Sequence, residues 1–262
     1  MAIQALNFIY DNISSEVFSV KIVNFNSSGL QENNFGGNVI PIYESIKRKH
    51  NVFLYGTQPS QPLEFELNIA TEGEELDSYS LGALGKWLFG HQDWKWLQIE
   101  QVSYEGLWFK CLLLDPQVIS VGNMNIGFKC KVFCDSSYVY SDEFTYNHNI
   151  TTSNQQITFN NLSDANLYLY PYISFTTSST TTSFSIKNSS DSDREFKFTS
   201  IANNETITVN NDLKIITSST SNNRLSNFNL KWLRLVPGTN NLVVNGNGSM
   251  FLRMRFPVKV GG

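Results

Sequence analysis

Leu230-Lys-Trp-Leu-Arg-Leu-Val-Pro-Gly-Thr-Asn-Asn-Leu-Val-Val-Asn-Gly246 reads as strand, turn, strand. Leu230, Trp232 and Arg234 alternate with Lys231, Leu233 and Leu235, the period of two that sends successive side chains to opposite faces. Pro237-Gly238 breaks the run, because proline presets φ at one turn position and glycine tolerates positive φ at the next. The β-branched pair Val243-Val244 then resumes a strand. Alone, the segment identifies a hairpin or the edge of a sandwich.

Its surroundings repeat the pattern. Short apolar runs recur at 155–159, 167–176, 184–188, 195–199, 206–209, 213–216 and 250–258, punctuated by Asn, Ser and Gly, as in an antiparallel sandwich. Charged residues make up 16% of the chain against a usual ~25%, so Asn, Ser and Thr supply the polar surface, which favours strands and turns. In the first half, strands are expected at 17–23, 38–43, 52–57, 97–100, 107–115, 117–121 and 125–134. Leu63, Phe65, Leu67 and Ile69 alternate with polar residues over a full strand. Residues 72–89 form the one clear helix candidate, with Leu76, Tyr79, Ala83, Leu84, Trp87 and Leu88 on one face and Asp77 or Ser78 as N-cap. Phe35-Gly36-Gly37-Asn38 reads as a hairpin turn, and the Ser/Thr run at 176–183 as a loop or edge hairpin.

A length of 262 residues favours two domains. The polar stretch 147–154 reads as their linker, giving domains 1–145 and 146–262. Charge supports the division: the first part carries nine Lys/Arg against seventeen Asp/Glu, a balance of −8, and the second is +4. The fold class is mainly β, with an N-terminal sandwich-like domain holding one helix and a C-terminal sandwich.

Several chemistries find no support. No apolar run reaches 18 residues, so no membrane span or membrane partner is expected, and Met1–Tyr10 lacks the features of a secretory signal. Cys111, Cys130 and Cys134 lie in apolar strands, as buried reduced thiols rather than a disulfide framework. His50, His91 and His148 are isolated, so no metal site is expected, and His91 beside Asp93 reads as a loop pair. Glu64 and Glu66 share an outward strand face, no glycine pattern suits a phosphate, and no basic face suits stable nucleic-acid binding. No catalytic or cofactor site is expected, and no cofactor. Trp87, Trp94 and Trp96 read as core.

The order of the weaker motifs is more specific than any one of them. Gly56-Thr57 and Pro62-Leu-Glu-Phe-Glu-Leu67 precede a helix ending Lys86-Trp87-Leu88, followed by Leu97-Gln-Ile99 and Phe109-Lys-Cys-Leu112. Phe128-Lys-Cys-Lys-Val-Phe-Cys-Asp135-Ser-Ser-Tyr138, Ile186-Lys-Asn188, Glu205-Thr-Ile-Thr-Val209 and Trp232-Leu-Arg-Leu-Val-Pro-Gly238 complete it. Collinear over nearly the whole chain, this order resembles the distal tail (Dit) proteins of long, non-contractile phage tails. The resemblance implies a galectin- or carbohydrate-module-like C-terminal sandwich and a hexameric ring at the tail tip. Implied partners are further copies of the chain, the major tail protein, a tail-associated tip protein and receptor-binding proteins. The implied location is the virion tail tip, after assembly in host cytoplasm.

A ring needs one head-to-tail interface repeated by rotation. Lys47, Arg48 and Lys49 against Glu72, Glu74, Glu75 and Asp77 are the candidate pair of surfaces, weighed against ordinary solvated loops. The alternative function is a carbohydrate-binding module gripping host wall saccharide through Tyr168, Tyr170 or Tyr172, which share a face if 167–175 is a strand. An enzyme acting on wall polymer is the least supported reading.

Overall fold

A computed structural model describes residues 6–23, 39–59, 61–178 and 182–259, and the turn expected at Phe35–Asn38 lies outside them. The chain divides into two compact units, residues 1–141 with 258–262, and residues 142–257. Among the described residues it is mainly β with one α-helix, as the alternating runs implied.

The first unit contains β1 (Phe8–Tyr10), β2 (Ile13–Ser14), β3 (Val20–Val23), β4 (Val39–Ser45), β5 (Val52–Pro59), β6 (Glu64–Thr71), α1 (Ser78–Phe89), β7 (Lys95–Ile99), β8 (Phe109–Val121), β9 (Met124–Cys134) and β10 (Val139–Tyr140). Seven strands form an antiparallel sheet in the order β2-β1-β7-β8-β9-β6-β3. Leu6, just ahead of β1, exchanges backbone hydrogen bonds of 3.0 and 2.9 Å with Ile22 in the far edge strand, so the sheet curls back toward itself. The alternation in β6 behaves as expected. Leu67 and Ile69 enter the core, while Glu64 and Glu66 face out and pair with Lys131 and Lys129 of β9.

Helix α1 starts at Ser78, within the expected 72–89, because Asp77, one of the two expected N-caps, caps it: the Ser80 N–H donates to the Asp77 carboxylate at 2.7 Å. The acidic residues before it stay outside the helix. Trp87 lies between the rings of Phe8 and Phe18, with centroids at 5.6 and 4.7 Å, and its Nε1–H donates to the Tyr10 carbonyl at 3.0 Å. Truncating a buried Trp costs about 3–5 kcal/mol. That packing outweighs Gly82 and Gly85, each about 1 kcal/mol unfavourable in a helix interior. Cys111, Cys130 and Cys134 are free and buried in the same core.

The second unit contains β11 (Phe144–Ile150), β12 (Gln155–Asn161), β13 (Tyr172–Thr177), β14 (Phe184–Asn188), β15 (Arg194–Phe198), β16 (Thr206–Asn210), β17 (Ile215–Ser218), β18 (Gly238–Asn245) and β19 (Gly248–Met254). A five-stranded sheet, β11-β19-β13-β16-β17, and a four-stranded sheet, β12-β18-β14-β15, enclose one apolar core. Phe175, Phe184, Phe196, Phe198 and Phe228 form a continuous aromatic cluster there.

Three expectations change. Polar residues 147–150 belong to β11, paired along its length with β19, so they are an outward edge strand and not a linker. Residues 230–236 do not form a regular strand: a single bridge joins Leu235 to Leu169, although Leu233 and Leu235 are buried as the alternation required. Asparagine side chains hold this segment instead. Asn211 accepts from the Leu233 N–H at 2.8 Å, and Asn240 accepts from the Val236 N–H at 2.9 Å. Finally, β13 begins at Tyr172, so Tyr168 and Tyr170 precede the strand and do not share its face.

Candidate functional sites

Among the described residues, strands β4 and β5 pair only with each other, apart from the seven-stranded sheet. Every residue of β4 is exposed. The ribbon presents Tyr43, Leu54 and Tyr55 at 56%, 64% and 68% exposure, together with Val39, Ile42 and Val52. A register shift between Ile42 and Tyr43 marks an irregularity in the pairing, the kind of bulge that bends and twists a strand. Lys47 and Arg48 lie in the connection between the strands, where Arg48 has φ of 71°, and Lys49 follows with its ammonium 4.5 Å from the Phe53 ring centroid. Across the ribbon, Tyr55 donates to Glu44 at 2.8 Å, and this bond raises the phenol's pKa. Unbroken apolar runs such as Val-Phe-Leu-Tyr look the same in sequence whether buried or exposed, which is why this surface escaped the reading of the sequence.

The acidic residues meet other demands. Glu72 pairs with Lys21 at 2.5 Å, and the Glu74 carbonyl accepts from Thr71. Asp77 is occupied as the helix cap, and the Ser80 backbone N–H holds its carboxyl below the usual range. Among the described residues, no ion pair joins these carboxylates to Lys47, Arg48 or Lys49 within one chain.

In the second unit, Arg234 donates through Nε and Nη2 to Asp191 at 2.7 and 2.9 Å, a bidentate pair. The hydrogen bond to Asp191 drives the guanidinium's pKa further up. Its carbon lies 3.8 Å from the Tyr168 ring centroid, and Tyr170 also bonds to it. Tyr168 and Tyr170 are thus gathered at Arg234, whose role the sequence did not reveal. Tyr172 sits elsewhere, beneath Arg253 at 4.4 Å.

His91 pairs differently from the expectation. Its Nε2–H donates to the Trp87 carbonyl at 2.7 Å, and the Asp11 carboxylate lies 3.8 Å away, so Asp11 and not Asp93 is its acidic neighbour. Trp94 is 40% exposed and stacks on Phe133, a surface rather than a core position. No group of three His, Cys, Asp or Glu among the described residues could hold a metal ion.

Two family models match the chain. That of a phage tail protein N-terminal domain covers residues 3–136, and that of a phage tail C-terminal domain covers 138–254. No curated protein matches. Among solved structures, the Dit protein (gp 19.1) of phage SPP1, described as a paradigm of the hub adsorption apparatus in phages infecting Gram-positive bacteria, aligns with a TM-score of 0.67 at 10% identity, over 97% of this chain and 100% of that one. A chain of the phage P2 baseplate, in its activated conformation with Ca, gives 0.62 at 12% identity, over 97% and 98%. The same baseplate with Sr gives 0.60 at 12%, over 96% and 98%. At these identities the likeness is one of fold.

Proposed function

Because the chain belongs to the phage tail protein family, matched in both of its units, we propose that it is the distal hub of a long, non-contractile tail. Six copies close into a ring that joins the major tail protein of the tube to the tip protein and the adsorption parts. The role is architectural and uses no catalytic chemistry. Likeness of fold to a hub protein and to baseplate chains over almost the full length supports this reading.

The observation that carries it is the β4–β5 ribbon. A lone two-stranded hairpin is at best marginal in water, and a long apolar one with unpaired edges invites aggregation. Contact with a neighbouring copy removes both problems, and repetition by rotation closes the ring. Residues 1–145 then carry the ring contacts, with Lys47, Arg48 and Lys49 facing Glu74 and Glu75 of the next copy. The balance of −8 in this part also suits a channel for DNA, because a basic lumen would bind phosphates and hold the genome back.

Sedimentation of the full chain tests the proposal. Six copies of a 29.7 kDa chain give a species of about 178 kDa. Tyr43 and Leu54 are cross-strand partners, so Tyr43→Lys with Leu54→Glu keeps an attractive pair within the hairpin while removing its apolar surface. This variant should fold and sediment as a monomer. A monomeric parent chain, or a double variant that still forms the ring, would sink the assignment.

A further inference from the structure

Strand β17 is an edge of the five-stranded sheet, and its pairing fixes which of its backbone groups face outward. β16 sets Ile207 opposite Ser218, Thr208 opposite Thr217 and Val209 opposite Ile216. Just past them the Ser219 N–H donates to the Thr206 carbonyl at 2.9 Å, so 206 and 219 are a hydrogen-bonded pair. Bonded and non-bonded pairs alternate along an antiparallel ladder, which makes 207 with 218 and 209 with 216 non-bonded. The other side of β16 agrees. There the Thr177 N–H donates to the Glu205 carbonyl at 3.2 Å, which turns the backbone groups of Ile207 and Val209 toward β13. Ile216 and Ser218 therefore direct their N–H and C=O groups away from the sheet. Ser221 donates to the Ser218 carbonyl at 3.1 Å. Among the described residues, the Ile216 N–H, the Ile216 C=O and the Ser218 N–H have no partner.

The four-stranded sheet shows what a closed edge looks like. Beside β15, Asn229 donates its N–H to the Lys197 carbonyl at 3.1 Å, accepts from the Lys197 N–H at 3.3 Å, and donates Nδ2–H to the Glu195 carbonyl at 2.8 Å. β17 has no such cover, and Ile215–Ser218 holds no charge, proline or register shift, the usual guards of an edge. Instead Leu213 and Ile215 stand 63% and 51% exposed. A groove of about 430 Å³ lies along the strand, lined by Ile216, Thr217, Ser218, Ser221, Asn222 and Asn223. Glu205, which accepts from Ser218 Oγ, is already neutralised by Arg224.

We propose that β17 accepts an extended, uncharged segment of a partner protein as an added antiparallel strand. One residue of the segment exchanges both backbone bonds with Ile216, and its side chain points to the same face as Ile216, into the groove. The residue two positions before it accepts from the Ser218 N–H. Backbone groups repeating every two residues, about 6.8 Å along a strand, are matched by another strand. A charged segment would find no opposite charge among the groove residues. A second copy of this edge fits less well, because its own Ile216 is packed against its own core and is not free to fill the groove.

Panning a displayed random dodecapeptide library against the immobilised full chain tests the inference. Uncharged, proline-free sequences with an apolar residue between polar ones should be enriched. They should be lost in panning against Ile216→Pro, which deletes the outward N–H and leaves the bonds to β16 in place. Fluorescence anisotropy of the enriched peptide then gives an N-methyl scan. Binding should weaken at least tenfold where the peptide N–H faces β17 and change little at the residues between, because only alternate groups join the ladder. This arm alters the peptide alone, so it decides the matter even if Ile216→Pro does not fold. No enrichment, enrichment of charged sequences, or binding without that alternation would overturn the proposal. A full-chain mass that halves in Ile216→Pro would also overturn it, by showing a second copy on the edge. The hub assignment rests on its own sedimentation test and does not depend on this result.

Discussion

Replacing Arg224 by Met should unfold the second unit at a much lower temperature than its surface exposure suggests. Glu205 is 1% exposed and Arg224 9%. The guanidinium donates to the carboxylate through Nε at 2.7 Å and Nη2 at 2.5 Å, and through Nη1 to the Ser200 carbonyl at 3.0 Å. Glu205 also accepts from Ser218 Oγ at 2.5 Å and the Ala202 N–H at 2.8 Å. Methionine keeps much of the volume but leaves a buried carboxylate without its cation, a loss of about 3–5 kcal/mol. At about 2.1 cal/mol/K per residue over residues 142–257, unfolding this unit carries about 0.24 kcal/mol/K, so its Tm should fall by roughly 12–20 °C.

The pH dependence gives a second reading. In the parent, burial pushes the Glu205 pKa up, but hydrogen bonds from Arg224, Ser218 and Ala202 outweigh it, and the net value is lowered. A lowered carboxylate stabilises the fold above its unfolded pKa of about 4.3 and loses that contribution as pH falls through the folded value. Without Arg224, burial dominates and the sign reverses: the folded pKa lies above the unfolded one, and stability declines as pH rises through that window. The gap between variant and parent in scanning calorimetry should therefore narrow from pH 7 to pH 5. Adding Glu205→Gln to the variant should recover part of the loss. A Tm within a few degrees of the parent at pH 7 would show that the pair acts as an ordinary surface ion pair, and a gap that widens on acidification would refute the account of a buried carboxylate left without its cation.

Two further predictions concern the first unit. Burial pushes the Cys130 and Cys134 thiols up to about 12 and the Cys111 thiol well above its usual value, so all three should resist a disulfide reagent at pH 8 and react once guanidinium unfolds the chain; stoichiometric release from native protein would contradict this. Gly127→Ala should prevent normal folding, measured as soluble yield and near-ultraviolet circular dichroism. A Cβ there would stand 1.9 Å from the Ile69 carbonyl oxygen of the neighbouring strand, and a native spectrum would mean that this close approach relaxes easily.

How much the sequence disclosed depended on whether one residue's environment was set locally. Leu63 to Ile69 could be read because one face meets core and the other water, and Asp77 because an N-cap is a local device. Residues 147–150 misled because an outward edge strand has a linker's composition. The segment 230–236 misled in the opposite direction: its alternation is real, but its backbone is held by Asn211 and Asn240 rather than by a neighbouring strand, and no local pattern announces a distant amide. The candidate sites follow the same rule. Lys47 to Lys49 were visible as a charge run, yet the apolar ribbon behind them became a surface only once β4 and β5 were seen to pair with no other strand among the described residues. Tyr172 was noticed for the wrong neighbours, since register and not sequence spacing places it beside Arg253 and Asn210. Both surfaces are properties of strand pairing. A substitution that shifts register by one residue would therefore invert the outward face of the five-stranded sheet while leaving its composition unchanged.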